Sequence, residues 1–283
     1  MLTAAIASLS AALYGVADFM GGFASRKDAA LRVTIASQLT GLFVLVLVTL
    51  VLPPASWSDP RILWGLGAGI FGGGGVLALY AGLATGRMSV VGPIAAALTG
   101  ALPAAVGLST GTELKWTGLL GMALALVSVV IVSMFAEDEE AAVSTGSSRT
   151  AIAFAVAAGV GFGISVICFS QTPASTSFAP LVLARSTTVT VLLVISLIRG
   201  GRVMPNRDAG RIALFTGLFD AGANVSQVVA LRIGPMALAA VIGALYPVVT
   251  VLLARVVLHE HLRGWQRVGV VMALVAVVLT ALP

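Results

Sequence analysis

The chain has 283 residues, of which 59% are hydrophobic and only 10% charged, and its formal net charge is +5. A mean hydropathy of +1.07 excludes an ordinary soluble fold, because apolar runs of about 20 residues, each long enough to cross a bilayer, recur along the chain. The pI near 10.1 does not indicate nucleic-acid binding, since Lys and Arg lie at the ends of these runs, where positive charge sets topology and meets lipid headgroups.

Ten membrane-spanning helices are predicted in chain order. The first contains Tyr14 and Asp18 and recurs later in the chain, so we interpret it as a retained span and not as a cleaved signal peptide. Pro103 and Pro247 are expected to interrupt the fourth and ninth spans. Connections between spans are too short for a soluble catalytic domain. The predicted spans are 2–22, 31–52, 62–84, 88–108, 116–135, 151–171, 179–198, 211–231, 235–258 and 265–282.

One polar stretch, 137–149, divides the chain into two similar parts. It is rich in acidic residues, Ser, Thr and Gly, a composition typical of a linker. We therefore predict a first five-helix repeat at 1–136, a linker at 137–149 and a second repeat at 150–283. Adding 148 to a residue number aligns the two parts, for example Tyr14-Gly15 with Phe162-Gly163.

The odd number of spans in each repeat predicts an inverted arrangement. After five crossings the chain is on the other side, so the second repeat must enter the membrane from the opposite face. The predicted fold is an all-α membrane protein of ten transmembrane helices, arranged as two inverted five-helix repeats around a central cavity. Rocking of two such repeats would expose the cavity to each side in turn.

Positive charges support inversion and predict an orientation. The loop after the first span carries Arg26 and Lys27, whereas the equivalent loop of the second repeat carries no charge. Even-numbered loops contain only Arg61, Lys115 and Arg232, and the odd-numbered loops contain most of the remaining cations. The positive-inside rule then places the odd loops in the cytoplasm and both termini outside.

Local signatures near both repeat ends resemble the drug/metabolite transporter superfamily, specifically its EamA-type members. In the second repeat they are Ala-Ala-Val-Ile-Gly-Ala-Leu-Tyr-Pro at 239–247, Leu-His-Glu at 258–260 and Gly269. A looser copy in the first repeat comprises Pro103, Glu113 and Gly121. The resemblance implies a secondary transporter of small metabolites, often an exporter of amino acids or drugs in exchange for protons. It also implies cytoplasmic termini, opposite to the orientation that the charges predict.

Polar side chains inside the spans are the candidate site residues, because such groups are costly in hydrocarbon. Asp220, Asn224 and Gln227 fall on one face of the eighth span, and Asp220 lies roughly 14 Å in, near the midplane. Arg185 enters from the opposite face. It is either a functional partner of Asp220 or half of a structural salt bridge. For an amino-acid substrate, Arg185 would face the carboxylate and Asp220 the ammonium group.

The remaining candidates are one acid and four uncharged side chains. Asp18 is a second proton-coupling candidate beside Asp220, or alternatively it caps the interface near Arg26 and Lys27. Further substrate-binding candidates, each of which could instead be packing or an interfacial anchor, are Tyr14, Gln38, Tyr80 and Tyr246.

Metal and cofactor sites are not predicted. His259 and His261 are two residues apart and would point away from each other on a helix, and no further ligands cluster with them. The single cysteine, Cys168, excludes an internal disulfide. The glycines at 72–75 lack the Lys-Ser/Thr of a phosphate-binding loop.

Together with the inverted repeats that the sequence predicts, the resemblance implies a proton-coupled secondary transporter, an exporter of small metabolites such as amino acids, in the inner membrane of a bacterium. Its expected partners are a small-molecule substrate, protons and membrane lipid, without nucleic acid, and it would act as a monomer or homodimer. A multidrug or cation efflux carrier and a passive channel or scaffold are the alternatives. An intramembrane enzyme acting on lipid is not expected, because no acids, histidines or nucleophile cluster at a membrane face.

Overall fold

The computed structural model describes residues 1–51, 56–85, 88–111, 115–134, 147–200, 202–257 and 264–281. All regular structure in these ranges is helical, which confirms the predicted all-α class. Most of the predicted linker and the histidines at 259 and 261 lie outside the described residues. The α-helices are α1 (Leu2–Ser25), α2 (Ala30–Val51), α3 (Trp64–Thr85), α4 (Met88–Ser109), α5 (Trp116–Met134), α6 (Ser147–Ser170), α7 (Ala179–Ile198), α8 (Arg207–Ile233), α9 (Met236–Gly243), α10 (Tyr246–Val257) and α11 (Gly264–Ala281).

These helices match the ten predicted spans, with α9 and α10 sharing the ninth. Six of them (α1, α2, α3, α6, α7 and α8) are long and apolar enough to cross a membrane, while α4, α5, α9 with α10, and α11 contain shorter apolar stretches. The prediction for Pro247 is correct, because the helix breaks at Ala244 and Leu245 and α10 begins just before this proline. The prediction for Pro103 is wrong, since α4 runs through it unbroken.

Helices of the two sequence halves alternate in the packing. α1 lies antiparallel to α8, with the Ser10 hydroxyl donating to the Ala223 carbonyl at 2.9 Å and Thr3 reaching Ile233. α3 packs in the same way against α6, where the Ser165 hydroxyl donates to the Ala68 carbonyl at 3.1 Å. Under the offset of 148, α1 corresponds to α6 and α3 to α8, so these two interfaces are equivalent.

Two glycines at equivalent positions allow the backbones of neighbouring helices to touch. A Cβ atom at Gly69 in α3 would overlap the Ala184 carbonyl of α7, and one at Gly217 in α8 would overlap the Ser37 carbonyl of α2. Gly69 and Gly217 are paired by the sequence offset. Small residues permit this close approach in membranes, where packing and not the hydrophobic effect drives association.

The α1–α2 turn holds the start of α8. Asp28 Oδ2 accepts a hydrogen bond from the Asn206 backbone N–H at 2.6 Å, and the Asn206 amide donates to the Lys27 carbonyl at 3.1 Å. Arg32 forms an ion pair with Asp28 at 2.6 Å. Burial acts to raise the pKa of Asp28, but backbone hydrogen bonds from Asn206 and Ala29 and the nearby arginines outweigh it and lower the pKa. We call this end of the molecule the Asp28 end.

The opposite end of the molecule carries a similar contact between the two sequence halves. There the Ser56 backbone N–H, before α3, donates to the Ser175 carbonyl, before α7, at 3.0 Å. We call this end the Ser175 end. Each end is therefore tied by a contact between the two sequence halves.

Replacement of Gly69 with alanine should destabilise the fold by about 1–3 kcal/mol, because the added methyl group must push α3 away from the α7 backbone. Gly74→Ala, five residues along α3, is the matched control, since nothing lies within 4 Å of its Cβ position. Thermal unfolding in detergent measures both variants. Equal midpoints for the two would contradict the close α3–α7 contact.

Acidification should remove the contribution of Asp28. Its folded pKa is lowered, so the carboxylate stabilises the fold above the unfolded value of about 4 and loses that effect as pH falls through the folded pKa. Asp28→Asn should lower the Tm at pH 7 by about 2–4 °C, with the gap to wild type closing towards pH 3. The exposed Asp208, in the first turn of α8, gives the control Asp208→Asn. A gap that is independent of pH would refute the assigned role.

Candidate functional site

A cavity lies at the centre of the helix assembly. Its walls come from α1, α3 and α4 of the first half and from α6 to α10 of the second. Its empty space is about 860 Å³, part of it open to solvent, a size suited to a small molecule. The charged and amide side chains that line it, together with two tyrosines, are Tyr14, Asp18, Arg185, Asp220, Asn224, Gln227 and Tyr246.

Arg185 and Asp220 are predicted on spans that enter the membrane from opposite faces. Their side chains lie together in this cavity. The guanidinium of Arg185 in α7 forms an ion pair with Asp220 Oδ2 in α8 through Nη2, and donates to Gln38 Oε1 in α2 through Nη1. Asn224 Nδ2 donates to the Asp220 carbonyl at 2.8 Å. Arg185 is only 7% exposed, so the fold holds a charged network joining three helices in an apolar interior.

Asp18 lies in the cavity wall on α1, in the same space as Asp220. Lys27, one of the two cations of the alternative interface role, lies over the Phe23 ring, 4.7 Å from the centroid. Among the described residues no cation forms an ion pair with Asp18, unlike Asp28, Asp59 and Asp220. The carboxylates of Asp18 and Asp220 are close enough to interact electrostatically. Tyr14, one turn before Asp18, lines the same wall.

Gln227 and Tyr246 occupy the cavity wall near the broken ninth span. Gln227 Nε2 donates to the Ala239 carbonyl of α9 at 3.2 Å, which fixes the orientation of the amide. Its Oε1 is buried beside Gly243 and has no hydrogen-bond partner among the described residues. Tyr246 starts α10, at the point where the break between α9 and α10 reaches the cavity.

Two predicted site residues do not line the cavity. Gln38, 1% exposed, lies behind Arg185 and acts on the site through that guanidinium. Tyr80, 3% exposed, packs its hydroxyl against Gly21 of α1, towards the Asp28 end. Direct substrate contact is therefore not available to either side chain in this conformation.

The sequence missed the cavity residues that are neither charged nor strongly polar. Thr99, Ser165 and Thr188 line the wall, and each hydroxyl donates to a backbone carbonyl. Phe162 and Phe169 add aromatic surface. One signal was present for Phe162, which the offset of 148 aligns with Tyr14. Hydroxyls and phenylalanines in an apolar span give no comparable signal by themselves.

Nothing in the described ranges suggests a metal centre. No group of three or more His, Cys, Asp or Glu side chains there could hold a metal ion. Cys168 is buried and packs as a small apolar side chain.

Comparison with known proteins identifies the family of the second half. Residues 149–282 match the EamA-like transporter family. The second half of this chain is therefore similar to EamA-like transporters. This match confirms the resemblance seen in the sequence. A solved structure titled only as the crystal structure of a protein has a TM-score of 0.75 and 17% identity over 96% of both chains, which shows a shared fold along the whole length. No curated protein matches the chain.

The match of the second half to the EamA-like transporter family implies a membrane transporter of small molecules. Together with the apolar helices, it indicates an integral membrane protein. The family is not a family of enzymes, in line with the expectation drawn from the short connections.

Removing one partner of the Arg185–Asp220 pair should cost more stability than removing both. Arg185→Met and Asp220→Leu each leave a buried charge without its partner, at a cost of about 3–5 kcal/mol. The double variant should be more stable than either single one, because it buries no charge. Unfolding of the three variants in detergent measures this difference. Additive losses in the double variant would contradict a direct ion pair.

Proposed function

We propose that this EamA-like protein is a secondary active transporter that exports small metabolites, amino acids among them, in exchange for protons across a bacterial inner membrane. The observation that carries the proposal is the central cavity, in which an apolar helical assembly brings together two acids and one base from α1, α7 and α8. Charged groups inside a membrane protein are expensive, and they characteristically mark the path of a substrate or an ion.

The packing supports inverted repeats. The offset of 148 relates the α1–α8 interface to the α3–α6 interface. It also relates the Gly69 contact to the Gly217 contact. The Ser10–Ala223 and Thr3–Ile233 contacts require α1 and α8 to run in opposite directions. With five spans in each half, these features favour a two-fold axis in the membrane plane, the arrangement used for alternating access.

The position of the cavity supports access from one side at a time. Lining residues at the beginning of α3 and α7 and at the end of α6 lie nearer the Ser175 end, whereas Asp18 lies in the last third of α1, towards the Asp28 end. Towards the Asp28 end, Tyr80 packs on Gly21, and the α1–α2 turn binds the start of α8. With the orientation that the charge pattern predicts, in which the Asp28 end is cytoplasmic, we propose that this conformation opens to the outside.

Proton coupling is assigned to Asp18 and Asp220. A carboxyl group that faces a cavity in an apolar assembly can be neutralised by a proton, a substrate cation or an arginine. Asp220 has Arg185 as its partner, and Asp18 has none among the described residues. Competition for these two acids would link the movement of substrate to that of protons.

Transport of labelled amino acids into proteoliposomes under a pH gradient tests the proposal. Saturable uptake that is driven by the gradient, with counterflow of preloaded substrate, is expected for a carrier, whereas a channel gives neither. Asp220→Asn should lower the gradient-driven rate at least tenfold, because the amide cannot bind the proton. The exposed Asp208→Asn should leave the rate unchanged. Full activity of Asp220→Asn would exclude Asp220 as the coupling group.

A further inference from the structure

The positive charge of Arg185 is already paired, although this is a cation of the cavity wall. One terminal nitrogen of the guanidinium binds Asp220 and the other binds Gln38, and the residue is only 7% exposed. The Asp220 carboxylate neutralises this charge, so a substrate carboxylate at the remaining N–H donors would meet no net positive charge. Drawing Arg185 away from Asp220 would leave Asp220 a buried charge without a partner, so recognition of a carboxylate here is disfavoured.

Asp220 is also occupied. Its Oδ2 pairs with Arg185, and its Oδ1 faces Asn224 Nδ2 at 3.4 Å. The pair as a unit contributes no net charge. Asp18, when ionised, therefore gives the described cavity wall a formal charge of −1.

Several uncharged polar groups of the wall add acceptors, beside the donor hydroxyls of Tyr14 and Tyr246. The hydroxyls of Thr99, Ser165 and Thr188 direct their protons to backbone carbonyls, so their oxygen lone pairs remain as acceptors. Gln227 is 4% exposed, and its Oε1 is an acceptor without a partner among the described residues. A buried acceptor of this kind is costly unless a donor reaches it.

Aromatic side chains complete the wall. Tyr14, Phe162, Phe169 and Tyr246 line the same cavity as Asp18. The faces of aromatic rings attract organic cations, most strongly where water is excluded. An acid without a partner, spare acceptors and ring faces together favour a ligand that carries positive charge and an apolar body.

We propose that the cavity selects organic monoamines in their protonated form, with the ammonium group bound by Asp18 and with no subsite for a carboxylate. This inference rests on the proposed transport function and narrows its substrate class, from metabolites that include zwitterionic amino acids to amines that lack the acid group. The Arg185–Asp220 pair is then a fixed part of the wall and not the site of the substrate's charged ends.

Matched ligands test the selectivity. Phenethylamine and phenylalanine share the ring and the amine and differ in the carboxylate. Isothermal titration in detergent at pH 7.5 should show phenethylamine binding at least about tenfold more tightly than phenylalanine. Asp18→Asn should remove this preference, and the exposed Asp208→Asn should retain it. Equal binding of the two, tighter binding of phenylalanine, or no binding of phenethylamine overturns the inference.

A second measurement needs neither a ligand nor transport. Val76 lines the cavity without a polar contact, so Val76→Cys in a Cys168→Ala background places one thiol in the wall. The modification rates of a cationic and an anionic methanethiosulfonate reagent are compared at pH 8.5, which favours the ionised carboxyl and the thiolate. The cation should react about tenfold faster relative to the anion, and Asp18→Asn should abolish that ratio while Asp208→Asn keeps it. A ratio unaffected by Asp18→Asn overturns the assignment of Asp18.

These readouts separate the two proposals. If the protein binds amines selectively but shows no gradient-driven flux, the transport function is refuted and the cation-binding site stands. Gradient-driven flux of phenylalanine in preference to phenethylamine would support the transporter and refute its proposed substrate class.

Discussion

The ion pair between Arg185 and Asp220 is the constraint on which the centre of the molecule depends. Two charges removed from water are stabilised only when geometry and further hydrogen bonds compensate for lost hydration, and here Gln38 and Asn224 supply those bonds. Because the pair joins α7 to α8, with α2 behind it, it holds this part of the cavity wall in place. The chemistry left for a ligand is what this network does not use, namely Asp18 and the spare acceptors.

Much of this fold could be predicted from the sequence, because a bilayer leaves the chain few choices. Apolar runs of spanning length gave the helices, and the offset between Gly69 and Gly217 located equivalent positions that pack alike. The behaviour of the two prolines could not be predicted. Pro247 begins a helix after a break, whereas Pro103 is absorbed in α4, and the difference depends on how neighbouring helices accommodate the freed carbonyls.

The candidate site was predictable where burying a polar group is costly. A charge or an amide in an apolar run is costly and therefore indicates a function. This identified Asp220, Arg185, Asn224 and Gln227. Asp18 was ambiguous, since its position near a span end suits both a cavity and an interface. Which donors and acceptors are already satisfied depends on contacts between distant helices, and no spacing in the sequence reports them.

The glycine contacts have a mechanical consequence. Gly69 allows close contact between α3 of the first half and α7 of the second, and Gly217 allows close contact between α8 and α2. With the α3–α6 and α1–α8 interfaces, these contacts group α1, α2 and α8 together and α3, α6 and α7 together. Each group contains helices from both sequence halves, so a movement between the groups would not separate one half from the other. The salt bridge joins α7 of one group to α8 of the other, and such a movement would have to stretch or break it.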